Sequence, residues 1–391
     1  MTSKAKRYAR MILLMLSLLF LTGCWSRNEV EDLAMLTGGA IDYSSEKGQE
    51  KYEGQWVIIR PPSSSNSDGG ASSSKSTDLV YKGEGEAETF MESVMDINKQ
   101  LPRLQTSSHS VFFIYGENMA KEVTAKVTEN FLRFPESRPN ELLFVTKGNA
   151  GLFLQAKPVL VSNLFKQIKK QQEIALRTGV SRGVTYLEFC QWLLSPDRDP
   201  VLPQIKWNDV NQSDSIMIEG FGVFRSDKLV GWLDRDESKG YLLLTHDSKD
   251  SLMTFKFEYG SQIISYQMGV SKHKIKAKMV DGKPVFHILI QTFGTIPETA
   301  NIQISTKNVK QMEAAAAESI REAMLKSISK ARLYDSDFLG LMQHLHRHEP
   351  SAWKEVEADW RKAFREAEIE VEVQAKNVAE GDLKQSFNLK D

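Results

Sequence analysis

Cys24 is the residue whose neighbours point most directly to a chemistry. It follows Leu21-Thr22-Gly23, and an apolar run from Met11 to Leu21 lies ahead of it. Lys4, Lys6, Arg7 and Arg10 precede or open that run, with no acid among them. A basic start, a short apolar centre and small residues at the exit make a secretory leader. Eleven helical residues at about 1.5 Å each fall well short of the roughly 30 Å core of a bilayer. The stretch ending at Cys24 reads as a bacterial lipobox, in which the thiol receives a diacylglyceryl group and the chain is cut before it. Cys24 is therefore expected to be a lipidation site and residues 1–23 a lipoprotein signal peptide. Two or more acyl chains hold a protein stably at a membrane, whereas one is marginal.

Three further clusters could do chemistry and are expected not to. Cys190, the second of two cysteines, sits in the apolar stretch Tyr186 to Leu194. A reactive thiolate needs a cation or a helix start beside it, so a buried structural thiol is expected. Gly179-Val180-Ser181-Arg182-Gly183 has the Gly-x-Ser-x-Gly spacing of a hydrolase elbow. That elbow needs a buried strand before it, and here Lys169 to Arg177 reads as a solvated helix. In His344-Leu345-His346-Arg347-His348-Glu349 the first and last histidines share a helix face. Zinc would need further ligands, and a solvated helix end suits the segment better.

The elements that must position these residues follow from hydrophobic periodicity. Leu33 to Ile41 reads as a strand ending in a turn, Tyr52 to Arg60 as a second strand, and Leu79 to Lys82 as a third. Between the last two, Ser63 to Thr77 contains eight serines in fifteen residues and is expected to be a disordered loop. Gly83-Glu84-Gly85 reads as a turn before a helix from Thr89 to Gln100. His109 to Tyr115 and Glu141 to Lys147 read as buried strands, with a helix over 118–131 between them. Two helical pieces within 162–194 break at Gly179, and Pro196, Pro200 and Pro203 read as a linker. This alternation of strands and helices indicates an α/β or α+β first domain.

Beyond the prolines the texture changes. Ser215 to Phe224 and Leu229 to Leu233 form a hairpin, and a short helix over 236–244 packs on it. Strands over 252–259 and 262–270 begin an antiparallel run. Lys272 to Met279 puts Ile275, Ala277 and Met279 on one face and Lys274, Lys276 and Lys278 on the other, towards water. Asp281-Gly282 marks a two-residue hairpin into Val285 to Gln291. A long helix over 307–331 carries the stripe Ile320, Met324, Ile328, Ala331. Helices over 337–348 and around Trp353, Val356, Trp360 and Phe364 follow, then a strand in which Ile369, Val371 and Val373 alternate with glutamates.

Composition excludes some partners. The chain has 391 residues and a formal charge of −1. Without the four cations of the leader, the remainder carries about −5, which argues against nucleic acid and leaves no polybasic membrane patch. No convergent set of acid, base and nucleophile emerges. No enzyme activity, cofactor or metal is expected.

Several of these residues together resemble the Ger(x)C family, the C-subunit lipoproteins of the nutrient germinant receptors of endospore-forming bacteria. They are Gly23-Cys24-Trp25 with Glu29, Gly83-Glu84-Gly85, His109 with Gly116-Glu117, and Arg133, Glu136 and Arg138 ahead of Gly148-Asn149-Ala150. The second half adds Gly220-Phe221-Gly222-Val223-Phe224, Leu229-Val230-Gly231, Gly240, Asp335, Gly340 and Pro350 with Trp353. The Ser-rich segment is the one departure.

The resemblance implies a multi-domain α+β protein of three α+β domains, with mixed or antiparallel sheets packed by helices. The expected division is 24–204, a small middle part at 205–258, and 259–380. It also implies a lipoprotein on the outer face of the spore inner membrane, beside two integral membrane subunits of a receptor that senses nutrients. A lipid on Cys24 would hold the first domain near the membrane, so Leu33 to Ile41 and Gly83, Glu84 and Gly85 are candidate partner contacts. The same glycines could instead serve only to shape turns. The runner-up is a lipid-anchored solute-binding protein of a transporter. It would need two lobes of parallel βαβ units.

Overall fold

The structure is a computed structural model that describes Tyr8 and residues 32–59, 80–133, 137–208, 214–245, 251–297 and 306–377. Apart from Tyr8, the leader lies outside the described residues, as do Cys24, the Ser-rich segment 63–77 and Glu136.

The first sheet has ten described strands. They are β1 (Leu33–Glu46), β2 (Gln49–Ile59), β3 (Val80–Ala87), β4 (Leu104–Thr106), β5 (Phe112–Tyr115), β6 (Leu142–Val145), β7 (Val184–Thr185), β8 (Val201–Trp207), β9 (Ile216–Arg225) and β10 (Lys228–Leu233). Their spatial order is β10-β9-β8-β6-β5-β1-β2-β3, with β4 beside β1 and β7 beside β6. The centre is parallel, from β1 through β5 and β6 to β8, and both flanks are antiparallel hairpins.

Six helices accompany this sheet: α1 (Phe90–Asp96), α2 (Glu117–Glu122), α3 (Thr124–Arg133), α4 (Leu164–Thr178), α5 (Tyr186–Leu193) and α6 (Arg235–Leu244). Successive residues of a strand point to opposite faces. In β5, Phe113 and Tyr115 join Phe131 and Phe189 on one side, while Phe112 and Ile114 join Leu164 and Ile168 on the other. Both faces are covered, which is why Val111 to Tyr115 reads as an unbroken apolar run.

The second sheet is β11 (Met253–Tyr259), β12 (Gln262–Val280), β13 (Lys283–Thr295) and β14 (Glu368–Asn377), in that order. The first three are antiparallel and β14 runs parallel to β13. Asp281 and Gly282 both have positive φ, at 50° and 75°, as the two-residue turn between β12 and β13 demands. Helix α7 (Thr306–Leu333) lies on this sheet, followed by α8 (Leu341–His348), α9 (Pro350–Val356) and α10 (Trp360–Glu366). Ile320, Met324, Ile328 and Ala331 of α7 are buried, as the stripe predicts. Helix α6 crosses α7 at Gly240, where a Cβ would collide with the carbonyl of Ala323. One apolar core therefore runs from Trp56 through Phe224 and Tyr241 to Ile320 and Ile288.

The chain is thus a multi-domain α+β protein, and the second sheet, antiparallel except for the β13–β14 pair, is not a lobe of repeated parallel βαβ units. Several local expectations need correction. Strand β1 does not end at Ile41; it passes through Gly38-Gly39 and Asp42, and the turn falls at Lys47-Gly48. Gly83-Glu84-Gly85 is not a turn but the middle of edge strand β3. The stretch from Pro196 to Pro203 is not a linker, because Asp197, Asp199, Val201 and Leu202 are buried. Pro203 is tolerated inside β8 at an irregularity in the β8–β9 register. The helix expected over 118–131 breaks at Val123, and the stripe from Trp353 to Phe364 is split between α9 and α10.

Candidate functional site

The residues behind the resemblance gather at a few places. At the C-terminal ends of the parallel strands, Asp42 accepts from the backbone N–H groups of Ala150 (2.8 Å) and Gly151 (2.9 Å). Glu117 accepts from Gly148 N–H at 3.0 Å. Gly116 leaves no room for a side chain beside the Asp42 carboxylate. Gly116-Glu117 and Gly148-Asn149-Ala150 are thus two sides of one knot tied by Asp42. Burial pushes the Asp42 carboxyl up to about 6, against the lowering pull of its two backbone donors.

A second knot joins the stretch from Pro196 to Pro203 to the last helices. Asp199 is fully buried and accepts bidentate bonds from Arg361 at 2.7 and 2.8 Å, as well as N–H groups of Ser226 (2.7 Å) and Asp337 (3.0 Å). Asp337, also buried, caps α8 through Leu341 N–H (3.2 Å) and Met342 N–H (2.7 Å). Burial raises its carboxyl to about 7. Asp335 pairs with Arg225 at 2.7 Å and Arg365 at 2.8 Å. Asp197 meets His346 Nδ1 at 2.5 Å, and the His346 ring stacks on Trp353 at 4.7 Å. Asp335, Gly340 and Trp353 of the resemblance all fall at this junction. Asp197, Asp199, Asp337 and Arg361 were missed by sequence reasoning. Pro196-Asp197-Arg198-Asp199-Pro200 has the composition of a loop, and only its partner 162 residues away makes it a core element.

The other nominated groups find structural duties. Gly179 (φ 65°) closes α4 as its left-handed cap, and buried Ser181 donates to the Gly220 carbonyl at 3.3 Å. No strand precedes the serine, so the elbow reading fails. His344 and His348 have ring centroids 4.3 Å apart. Burial, with His348 second, holds His344 below the usual imidazole range. No group of three metal-binding side chains forms among the described residues. The cluster forms the expected helix end, with α8 stopping at His348 and Arg347, His348 and Glu349 exposed, while half-exposed His346 also reaches back to Asp197. Cys190 is buried, and burial raises its thiol to about 11, which suits an inert thiol.

Gly83, Glu84 and Gly85 lie on the sheet's outermost described strand. Lys82, Glu84 and Glu86 point outward and the two glycines inward. A Cβ at Gly85 would run into the Ser93 carbonyl, so α1 sits close over this strand only because Gly85 has no side chain. Of the three, Glu84 alone offers a side chain to a partner.

A cleft of about 1280 Å³ opens between the two sheets. Thr146-Lys147 and Lys206-Trp207 form one wall, at the C-terminal ends of β6 and β8. Open α/β sheets place ligand crevices at such ends. Asp234, Arg235 and Lys239 of the α6 region and Lys326 and Lys330 of α7 form the other wall. Burial pushes Glu219 up, but Lys206 (2.6 Å) and Arg235 (2.5 Å) outweigh it and hold the carboxyl below its ordinary range. Lys147 lies over the Trp232 ring at 5.4 Å. The cleft is therefore polar and mostly internally paired, suited to holding a charged surface and without a poised nucleophile.

Fold and knots define a class: a multi-domain α+β protein whose buried aspartates tie its parts together. Two family models match, "Spore germination protein N-terminal domain" over residues 26–207 and "Spore germination B3/ GerAC like, C-terminal" over residues 219–380. The chain is 24% identical over 378 residues to spore germination protein B3 of Bacillus subtilis (strain 168), covering 94% of this chain and 96% of the relative. It is 23% identical over 372 residues to the putative spore germination protein YfkR of the same strain, covering 94% and 95%. The crystal structure of the GerBC protein superposes with a TM-score of 0.55 at 18% identity, covering 87% of this chain and 97% of that one. The chain belongs to the Ger(x)C family of spore germination proteins.

Proposed function

We propose that this chain is the lipid-anchored subunit of a nutrient germinant receptor, acting in receptor assembly and in the germination response rather than in catalysis. The observation that carries the reading is the near full-length match of both halves to spore germination proteins. The leader ending at Leu21-Thr22-Gly23-Cys24 supports an anchor on the outer face of the spore inner membrane. No described helix is long and apolar enough to cross a membrane. Integral membrane subunits of the same receptor would then meet the first sheet, where Glu84 on β3 is exposed. The serine of the elbow motif is spent on a backbone carbonyl, which supports a non-catalytic role.

The test is Cys24→Ala in spores. Processing before residue 24 should fail, the germination response to nutrients should be lost, and multi-span subunits should no longer co-purify with the chain. Normal processing with undiminished germination would overturn the anchored-receptor reading.

A further inference from the structure

The outer face of the second sheet is striped by charge. The register places Lys278, Val285 and Glu368 in one row, Lys276, His287 and Glu370 in the next, and Lys274, Leu289 and Glu372 in the third. All nine point away from α7, because their strand neighbours Ile275, Ala277, Phe286, Ile288, Ile290, Val371 and Val373 face the core. His273, on the inner face, meets the Leu244 carbonyl of α6, so the helices occupy that side. The outer face thus has three columns: lysines on β12, a less polar middle on β13 in which Val285 is buried and His287 and Leu289 are half-buried, and glutamates on β14. The middle column continues to Phe293, which is 44% exposed and packs over Gly269. The lysines and glutamates are themselves exposed.

Such a face is complementary to itself in one orientation. A two-fold axis along β13, in the plane between two stacked faces, carries the lysine column of one copy onto the glutamate column of the other. The β13 columns then meet each other, Leu289 against Leu289. A two-fold axis across the strands instead sets lysines against lysines. Like charges directly opposed are unfavourable, so the pattern selects the first arrangement.

We propose that the occupant of this face is a second copy of this chain, in a face-to-face dimer about an axis along β13. Three strands about 4.8 Å apart and ten residues of about 3.3 Å cover on the order of 500 Å². That is below the roughly 800 Å² per partner of a standard interface, so the dimer is weak and salt-sensitive.

The experiment uses the full chain purified in detergent. In Leu289→Cys, a short bismaleimide should link two copies, while the parent chain under the same treatment should stay single. Next, K274E/K276E/K278E and E368K/E370K/E372K are each compared with the parent by light scattering. Each reversal alone opposes like columns and should weaken association at least tenfold. An equal mixture of the two restores opposite columns on both sides and should recover the parent's association. Circular dichroism of both variants should be unchanged, since every altered side chain is exposed. A parent that stays monomeric at the highest attainable concentration, whether the face meets solvent or a different protein, overturns the proposal. So does a mixture that associates no better than its components.

Discussion

The Asp199 junction and the outer face of the second sheet are both rich in charge, and they use it oppositely. At the junction, Asp199 and Asp337 are out of water and each carboxylate oxygen is answered by a guanidinium or a backbone N–H. On the sheet face, the lysines and glutamates keep their water. Charges taken from water must be matched or they unfold the protein, whereas exposed ones cost and contribute little. The first region therefore fixes how the two sheets join, and the second is free to set what the molecule meets.

That contrast can be broken at its strongest point with Asp199→Ala. The change strands Arg361 and two backbone donors, and removal of one partner from a buried pair costs about 3–5 kcal/mol. Chemical denaturation should report a loss of that size, and a loss under about 1 kcal/mol would mean the junction is not desolvated.

A pH series sharpens the same comparison. The Asp337 carboxyl is raised from 3.8 to about 7 in the folded chain. The folded state then keeps a proton that the unfolded state has lost, so this group's contribution falls as pH rises towards 7 and is flat above it. Asp42, raised to about 6, and Glu141, raised to about 7 by burial, act with the same sign. At about 1.4 kcal/mol per unit, stability should drop between pH 5.5 and 8 by about 2 kcal/mol for Asp337 and for Glu141, and by less than about 1 kcal/mol for Asp42. Asp337→Asn should flatten part of that slope; an unchanged slope would remove Asp337 as its source.

Gly85→Arg comes next, with a loss of about 1–3 kcal/mol from forcing α1 off β3. Its melting temperature should fall together with its level in spores. A full melting temperature with lost co-purification would move Gly85 into a partner contact instead. The smallest effect is expected on the sheet face: Glu370→Lys removes an exposed pair with His287 at 2.6 Å and should shift stability by less than about 0.5 kcal/mol.

The sequence by itself determined the elements whose signal is local. The α7 stripe, the Asp281-Gly282 turn and the alternation of Lys272 to Met279 depend on residues within one or two turns of each other, so spacing alone suffices. Even the charge columns were half legible, as lysines on one strand and glutamates on another. Tertiary structure decided which strands lie side by side, and so brought those columns to the two sides of β13. It decided that Gly83 and Gly85 sit in a strand under a helix, because a glycine pair reads as a turn until something is seen lying on it. It also decided that Pro196 to Pro203 belongs to the core. The partners of Asp197 and Asp199 lie about 150 residues on, and no local pattern can tell a solvated aspartate from one awaiting a distant arginine.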